Sequence, residues 1–172
     1  MPVNGIIFTG DFFMNIKIIC VGKLKEKYLK DGIDEYIKRI KRFADVKIIE
    51  NADEPIPDKA SQAQEKLVLK CEGERIKKHI MPRDYVISLC VEGKQMQSKE
   101  FAKCISNITV DGYSTIDFII GGSLGICDEI KSLSNLKLGF SKMTFPHQLM
   151  RLILTEQVYR AFKINANEEY HK

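Results

Sequence analysis

The feature that most constrains this chain is a strand-like apolar run that ends abruptly in glycines. The run from Asp117 to Ile120 is followed by Gly121, Gly122 and Gly125, three glycines within five residues. Because glycine has no Cβ, the backbone can adopt positive φ there and approach a ligand closely. In an open α/β sheet, a loop of this kind lies at the carboxyl end of its strand, where ligands bind. From this stretch alone, a ligand loop and a plain strand-to-helix turn are equally open.

Apolar spacing along the rest of the chain predicts strands that alternate with helices. Leu29, Ile33, Tyr36 and Ile40, for example, recur at the three- and four-residue intervals of an amphipathic helix. This alternation predicts an α/β fold with a mostly parallel sheet and helices on both faces. The predicted strands are 16–21, 46–49, 85–91, 116–120 and 136–141, and the predicted helices are 25–43, 60–80, 99–107, 128–133 and 147–162.

Three of these helices carry more specific expectations. The helix at 60–80 has an apolar stripe of Ala60, Ala63, Leu67, Cys71 and Ile76. Ser98 is the expected N-cap of the helix at 99–107. The helix at 147–162 is apolar on most sides, which predicts that it is buried in the core or against a second subunit.

Length, charge and cysteine content narrow the class of protein. A chain of 172 residues is expected to form one domain, and a net charge of +4 is too mild to indicate a nucleic-acid binder. No apolar run is long enough to span a bilayer. Five widely spaced cysteines suggest neither disulfides nor a metal site, so we expect a cytoplasmic protein. Residues 1–13 are interpreted as a leader, either an upstream start or non-native residues, because Met14 directly precedes the first strand; an extra edge strand is the alternative.

Common nucleotide and catalytic signatures are absent from the sequence. There is no P-loop, no Rossmann fingerprint, no GxSxG elbow and no HExxH pair. His79, at the polar end of a helix, is expected to be solvated, and His147 is either structural or a ligand-site residue. His171 stands in the terminal Tyr170-His171-Lys172, an ending that suits contact with a nucleotide if it is ordered.

Three segments together resemble one known family. They are IIGGSLG at 119–125, FSKMTFPHQLMR at 140–151, and EQVYRAFKI at 156–164 followed by the YHK ending. In this order and at these distances they resemble the large-subunit pseudouridine methyltransferase family of the SPOUT superfamily. The opening KIICVGKLKEKYLK, at 17–30, is similar to that family's start. The resemblance covers residues 14–172, which we take as one SPOUT methyltransferase domain.

The resemblance implies a fold, a reaction and a cofactor. The C-terminal third is expected to form a trefoil knot, which is rare among protein folds. The expected activity is S-adenosylmethionine-dependent methylation of a ring nitrogen, N3, of a pseudouridine in the helix-69 loop of 23S rRNA, by a homodimer acting on the assembled ribosome. The cofactor-binding residues implied by the motifs are Leu89, Gly121, Gly122, Phe140, Ser141, Lys142, Met143, Thr144 and Phe145. No metal is required.

The ending of the chain is expected to supply the catalytic groups. His171 is the candidate general base that removes the proton from the acceptor nitrogen. Lys172 is expected to favour the anionic form of the pseudouridine, and Tyr170 is expected to stack on that nucleobase. Arg151 and Arg160 are candidates for RNA phosphate contacts, or alternatively for structural ion pairs at a subunit interface. Two departures from the family are Cys90, where an acid is common, and the acidic stretch before Tyr170.

Two other functions remain open at this point. The first is a non-catalytic ribosome- or RNA-binding factor with the same fold. The second is a nucleotide-dependent enzyme that uses the glycine loop for phosphate. Exposed lysines and arginines on the helix at 25–43 are explained by a solvated face, with an RNA-backbone patch as the alternative.

Overall fold

The computed structural model describes residues 13–170, in which five strands alternate with five helices. The leader at 1–12 and the terminal His171 and Lys172 lie outside the described residues. The elements are β1 (Met14–Val21), α1 (Lys27–Ile40), β2 (Ala44–Asn51), α2 (Gln62–Lys77), β3 (Tyr85–Gln95), α3 (Ser98–Val110), β4 (Thr115–Ile120), α4 (Asp128–Leu133), β5 (Leu136–Gly139) and α5 (His147–Asn165).

The five strands form one sheet in the order β2-β1-β4-β3-β5, and every pairing between named strands is parallel. The carboxyl ends of all five strands therefore point to the same edge. β4 is the central strand, with Phe118 paired to Ile18 on one side and to Ile87 on the other. The glycine loop consequently leaves the middle of this edge, where loops from both neighbouring strands flank it.

Helices cover both faces of the sheet, as the sequence predicts. One core contains Ile18 and Phe118 with residues of α1, α3 and α5. The other contains Ile19 and Ile119 with Ile76 of α2 and Ile130 of α4. Successive strand residues alternate between the two cores because side chains along a strand point to opposite faces. The parallel pairing and strand order are consistent with the knotted chain path that the resemblance implies.

α5 is enclosed, as its apolar sequence predicts. None of its residues is exposed, and it packs between α1 and α3. It continues to Asn165, one turn further than predicted, and Asn165 Nδ2 donates to the Ala102 carbonyl at 2.9 Å. This tertiary hydrogen bond stabilises a final turn that apolar spacing alone does not mark.

Three local expectations are wrong. The buried residues of α2 are Val68, Glu72, Gly73 and Ile76, whereas Leu67 of the predicted stripe is 60% exposed. The N-cap of α3 is Gln97, in a capping box with Glu100, and Ser98 Oγ instead donates to Gln157 at 2.9 Å. His79 is partly buried, with Nε2 3.0 Å from Asn51 Oδ1. Burial is the main cause that lowers the pKa of this imidazole.

Candidate active site

A cavity of about 290 Å³ opens at the carboxyl edge of the sheet, beside the central strand. Three segments that are distant in sequence enclose it: the middle of β3, the loop after β4, and the stretch from β5 into α5. Its lining residues are 89–92, 120–126, Lys131, Leu138, Phe140, Ser141, Met143, Thr144, Phe145, His147 and Met150. The cavity is at the small end of the range for ligand pockets, which are concave and mostly apolar.

Glycine is required in the loop because the backbone folds tightly on itself. A Cβ on Gly121 would lie 2.3 Å from the Gly125 carbonyl oxygen, closer than any real contact allows. Gly125 has φ +86° and donates its N–H to the Gly122 carbonyl at 3.0 Å. These contacts account for the tight turn, and the same glycines also line the cavity, which supports the ligand-loop interpretation.

Most residues predicted to bind a cofactor lie around this one cavity. Leu89 is the last residue of β3 that pairs with β4, Gly121 and Gly122 are in the loop, and the 140–145 segment forms the opposite wall. Lys142 alone among the predicted residues is not part of the lining. Met143 is 73% exposed, at the mouth of the cavity. The structure therefore brings together segments separated by about fifty residues of chain.

The sequence does not identify the charged groups of the cavity. Glu92, just after the buried part of β3, forms an ion pair with Lys131 of α4. The hydrogen bond from Lys131 is the main cause that lowers the pKa of the Glu92 carboxyl. The available signal was a charged residue at a strand end, where ligand-binding side chains of parallel sheets collect.

His147 lies at the start of α5 and also lines the cavity. Its Nε2 is 3.8 Å from where a Cβ on Gly22 would stand, so the turn after β1 packs directly against it. Burial, followed by the nearby charge of Arg151, lowers the pKa of this imidazole, and the ring is therefore neutral near pH 7. Of the two alternatives for His147, a structural residue or a ligand-site residue, its location in the cavity lining supports the second.

Arg151 has internal contacts only. Its side chain is completely buried, with one guanidinium nitrogen donating to the carbonyls of Val21 and Gly22 at 3.1 and 2.8 Å. The other forms an ion pair with Glu50 at 2.7 Å. Arg151 is therefore a structural ion-pair partner, but within its own chain and not at a subunit interface, and its burial leaves no exposed group for RNA phosphate. This arginine ties the start of α5 to the ends of β1 and β2.

Arg160 and Tyr170 lie far from the cavity of their own chain. Arg160 bonds Glu156 at 2.6 Å and lies over the Tyr170 ring at 4.7 Å. Tyr170 contacts Tyr159 edge-on, with ring centroids 4.9 Å apart. Tyr159 is nine residues beyond Met150, the last residue of α5 that lines the cavity, so the tyrosine cluster is about 14 Å along the helix from it.

Neither a metal centre nor a membrane-spanning helix is found within residues 13–170. No grouping of three or more His, Cys, Asp or Glu side chains in that range is arranged to hold a metal ion. Within the same range, no helix combines the length and apolarity needed to cross a bilayer.

The fold and site together define a class of protein: a parallel α/β domain with a cavity at the carboxyl edge of its sheet, lined in part by a glycine loop. Comparison with known proteins specifies the family. A sequence profile described as "Predicted SPOUT methyltransferase" matches residues 14–171. The chain therefore belongs to the SPOUT methyltransferase family.

Individual relatives agree with this assignment. Two proteins from Streptococcus pyogenes, serotype M12 strain MGAS2096 and serotype M49 strain NZ131, are each 57% identical over 159 residues. Each match covers 92% of this chain and all of the relative, and both relatives are named "Ribosomal RNA large subunit methyltransferase H". A probable methyltransferase from Bordetella pertussis Tohama I, 11% identical, shares the fold with a TM-score of 0.52, over 87% of this chain and 95% of its own.

Proposed function

We propose that this protein transfers a methyl group from S-adenosylmethionine to N3 of a pseudouridine in the helix-69 loop of 23S rRNA. It acts as a cytoplasmic homodimer on the assembled ribosome. The proposal is supported by family membership and by full-length similarity to relatives named as rRNA large subunit methyltransferases. The observation that carries it is that the glycine loop, residues 89–92 of β3 and the 140–145 segment line one and the same cavity.

The residues of the cavity fit the proposed cofactor. Bare backbone at Gly121 and Gly122 suits hydrogen bonds to an adenosine, and Leu138, Phe140, Phe145 and Met150 offer apolar walls for the adenine ring. When bound, S-adenosylmethionine supplies an electrophilic methyl group on a sulfonium sulfur. The protein's main contribution is to hold donor and acceptor in line, since positioning alone accounts for a large part of such a rate enhancement.

The acceptor nitrogen must lose its proton as the new carbon–nitrogen bond forms. We assign His171 as the general base that takes this proton. The positive charge of Lys172 favours the anionic form of the pseudouridine that loses it. Tyr170 positions this ending. In this proposal Arg160 does not contact the substrate, but its guanidinium lies over the Tyr170 ring and anchors that ring to α5.

A homodimer explains how the ending reaches a cavity. Tyr170 packs against Tyr159, about 14 Å along α5 from the nearest lining residue of the same chain's cavity, Met150. His171 and Lys172 directly follow Tyr170, and two extended residues span about 7 Å. We therefore propose that the Tyr-His-Lys ending of each protomer serves the cavity of its partner.

Methyl transfer to ribosomes tests the proposal. The protein is incubated with methyl-labelled S-adenosylmethionine and ribosomes from cells that lack the modification. We expect label in 23S rRNA, and none with a Gly121→Ala variant as the matched control. A wild-type protein that binds the cofactor and the ribosome without transferring label would support the non-catalytic alternative instead.

A further inference from the structure

Two charged side chains stand out in an otherwise neutral cavity. Among the described lining residues, only Glu92 and Lys131 carry full charges near pH 7, and they are paired with each other. Lys131 is 24% exposed and Glu92 57% exposed, so both remain in reach of a bound molecule. They come from different elements: Glu92 lies in the irregular part of β3, between its two pairings with β5, and Lys131 lies in α4.

We propose that Glu92 and Lys131 form the subsite for the amino-acid end of the cofactor, with Glu92 binding its ammonium and Lys131 its carboxylate. This assignment rests on the proposed function, because it concerns a ligand with an α-amino acid at one end. It also sets the orientation of that ligand. The adenine lies toward Phe140, Phe145 and Met150, and the amino acid lies toward α4.

Charge chemistry supports the assignment. An α-amino acid is a zwitterion, and burying either charge without a partner is costly. A lysine and a glutamate held side by side complement both charges at once, through charge-assisted hydrogen bonds. The Glu92–Lys131 pair is partly hydrated before binding. Replacing it with one ion pair from each side chain to the ligand therefore costs little desolvation.

α4 itself provides an internal comparison. Glu129, two residues from Lys131, forms an ion pair with Lys77 of α2 that is 56% exposed on both sides. This second pair has the same chemistry and lies outside the lining of the cavity. Removing its lysine therefore controls for the loss of an ion pair on α4 without any change to the proposed subsite.

Two ligands that differ only in the amino-acid end test the subsite by binding calorimetry. S-adenosylhomocysteine carries the zwitterion, and 5′-methylthioadenosine replaces it with a methyl group. We expect Lys131→Met and Glu92→Gln each to weaken binding of S-adenosylhomocysteine by about 10-fold or more, from the energy of hydrogen bonds to charged groups. Binding of methylthioadenosine should change by less than about twofold, and Lys77→Met should affect neither ligand.

The outcomes separate failure of the subsite from failure of the proposed function. Equal loss of both ligands in Lys131→Met, or no loss of either, overturns the subsite while the wild type still binds. A wild-type protein that binds neither ligand overturns the proposed function, and the subsite with it. Thermal unfolding of each variant identifies misfolding, and Lys131→Arg, which keeps the charge, should recover most of the affinity for S-adenosylhomocysteine.

Discussion

At the scale of single residues, buried polar groups position the loops of the site. Arg151 is the clearest case, since its guanidinium holds the carbonyls of Val21 and Gly22 together with the Glu50 carboxylate. The turn after β1 in turn contacts His147. A residue outside the lining of the cavity thereby fixes one side of it.

Replacing Arg151 with methionine tests this role. The change keeps most of the apolar volume but leaves two carbonyls and a partly buried carboxylate without their donor, so we expect a loss of about 2–4 kcal/mol in the free energy of unfolding. Urea denaturation measures it as a lower midpoint with an unchanged slope. Lys77→Met, which removes an exposed ion pair, should leave the midpoint nearly unchanged. Equal midpoints for the two variants would contradict the structural role of Arg151.

Asp117 gives the fold a pH dependence. Its carboxylate is completely buried, 3.1 Å from the Lys17 ammonium, and Asp84 is on the other side of that lysine at 2.6 Å. Burial, opposed by the Lys17 hydrogen bond and reinforced by Asp84, raises the pKa of Asp117 to about 7. Between about pH 4 and pH 7 the folded protein thus keeps a proton that the unfolded chain has released, and stability falls as pH rises.

An asparagine at position 117 removes this titration. As pH is raised from 5 to 8, we expect the melting temperature of Asp117→Asn to rise relative to that of the wild type. Scanning calorimetry at four pH values across that range measures the difference. A difference that is constant with pH, or that moves the other way, would show that Asp117 is ionised throughout.

Local spacing predicts which residues are apolar but not which polar residues are enclosed. Arg151, Asp117 and Glu72 are all buried, and each lies in a segment that the sequence assigns to the correct type of element. Their burial depends on what packs over them from distant parts of the chain. For α2 this effect moved the buried stripe from Leu67 to Val68 and Glu72.

At the scale of elements, the sequence predicts the existence and type of every helix and strand between residues 13 and 170. Errors are confined to ends that tertiary contacts decide. β3 continues to Gln95 because Lys94 and Gln95 pair a second time with β5, and α3 begins with a Gln97 capping box. Local spacing does not predict the order of the strands in the sheet. The segments that lie beside the glycine loop could therefore be identified only from the family resemblance and the structure.

The glycine loop is the element whose geometry is most restrictive. Gly121→Ala places a methyl group 2.3 Å from a backbone oxygen, so the loop must shift. We expect binding of S-adenosylhomocysteine to weaken by at least about tenfold, since ligand contact through backbone groups depends on their positions. Calorimetry measures the loss.

Gly112→Ala is the control for this substitution. Gly112 has φ +90° in a turn outside the cavity, and a methyl group added there would have nothing within 4 Å, so alanine costs stability through strain alone. Its affinity for S-adenosylhomocysteine should equal that of wild type. If the two variants bind equally well, the loop does not cradle the ligand.

At the scale of the whole molecule, the proposed homodimer brings together groups that one chain keeps apart. A mixture of two inactive variants tests it. The first lacks residues 170–172 and keeps its cavity, and the second carries Gly121→Ala and keeps its ending. Mixed dimers should regain methyl transfer, because an intact cavity then faces an intact ending from the partner. If each variant is inactive alone and the mixture stays inactive although mixed dimers form, each ending serves its own chain.

The central claim is the identity of the methylated nucleotide. The most direct measurement is mass spectrometry of 23S rRNA fragments from ribosomes of a strain lacking the modification, before and after incubation with the protein and S-adenosylmethionine. The account predicts one added methyl group on a pseudouridine in the helix-69 loop, on assembled ribosomes and not on protein-free rRNA. A methyl group on another nucleotide, or none on ribosomes to which the loaded protein binds, would contradict it.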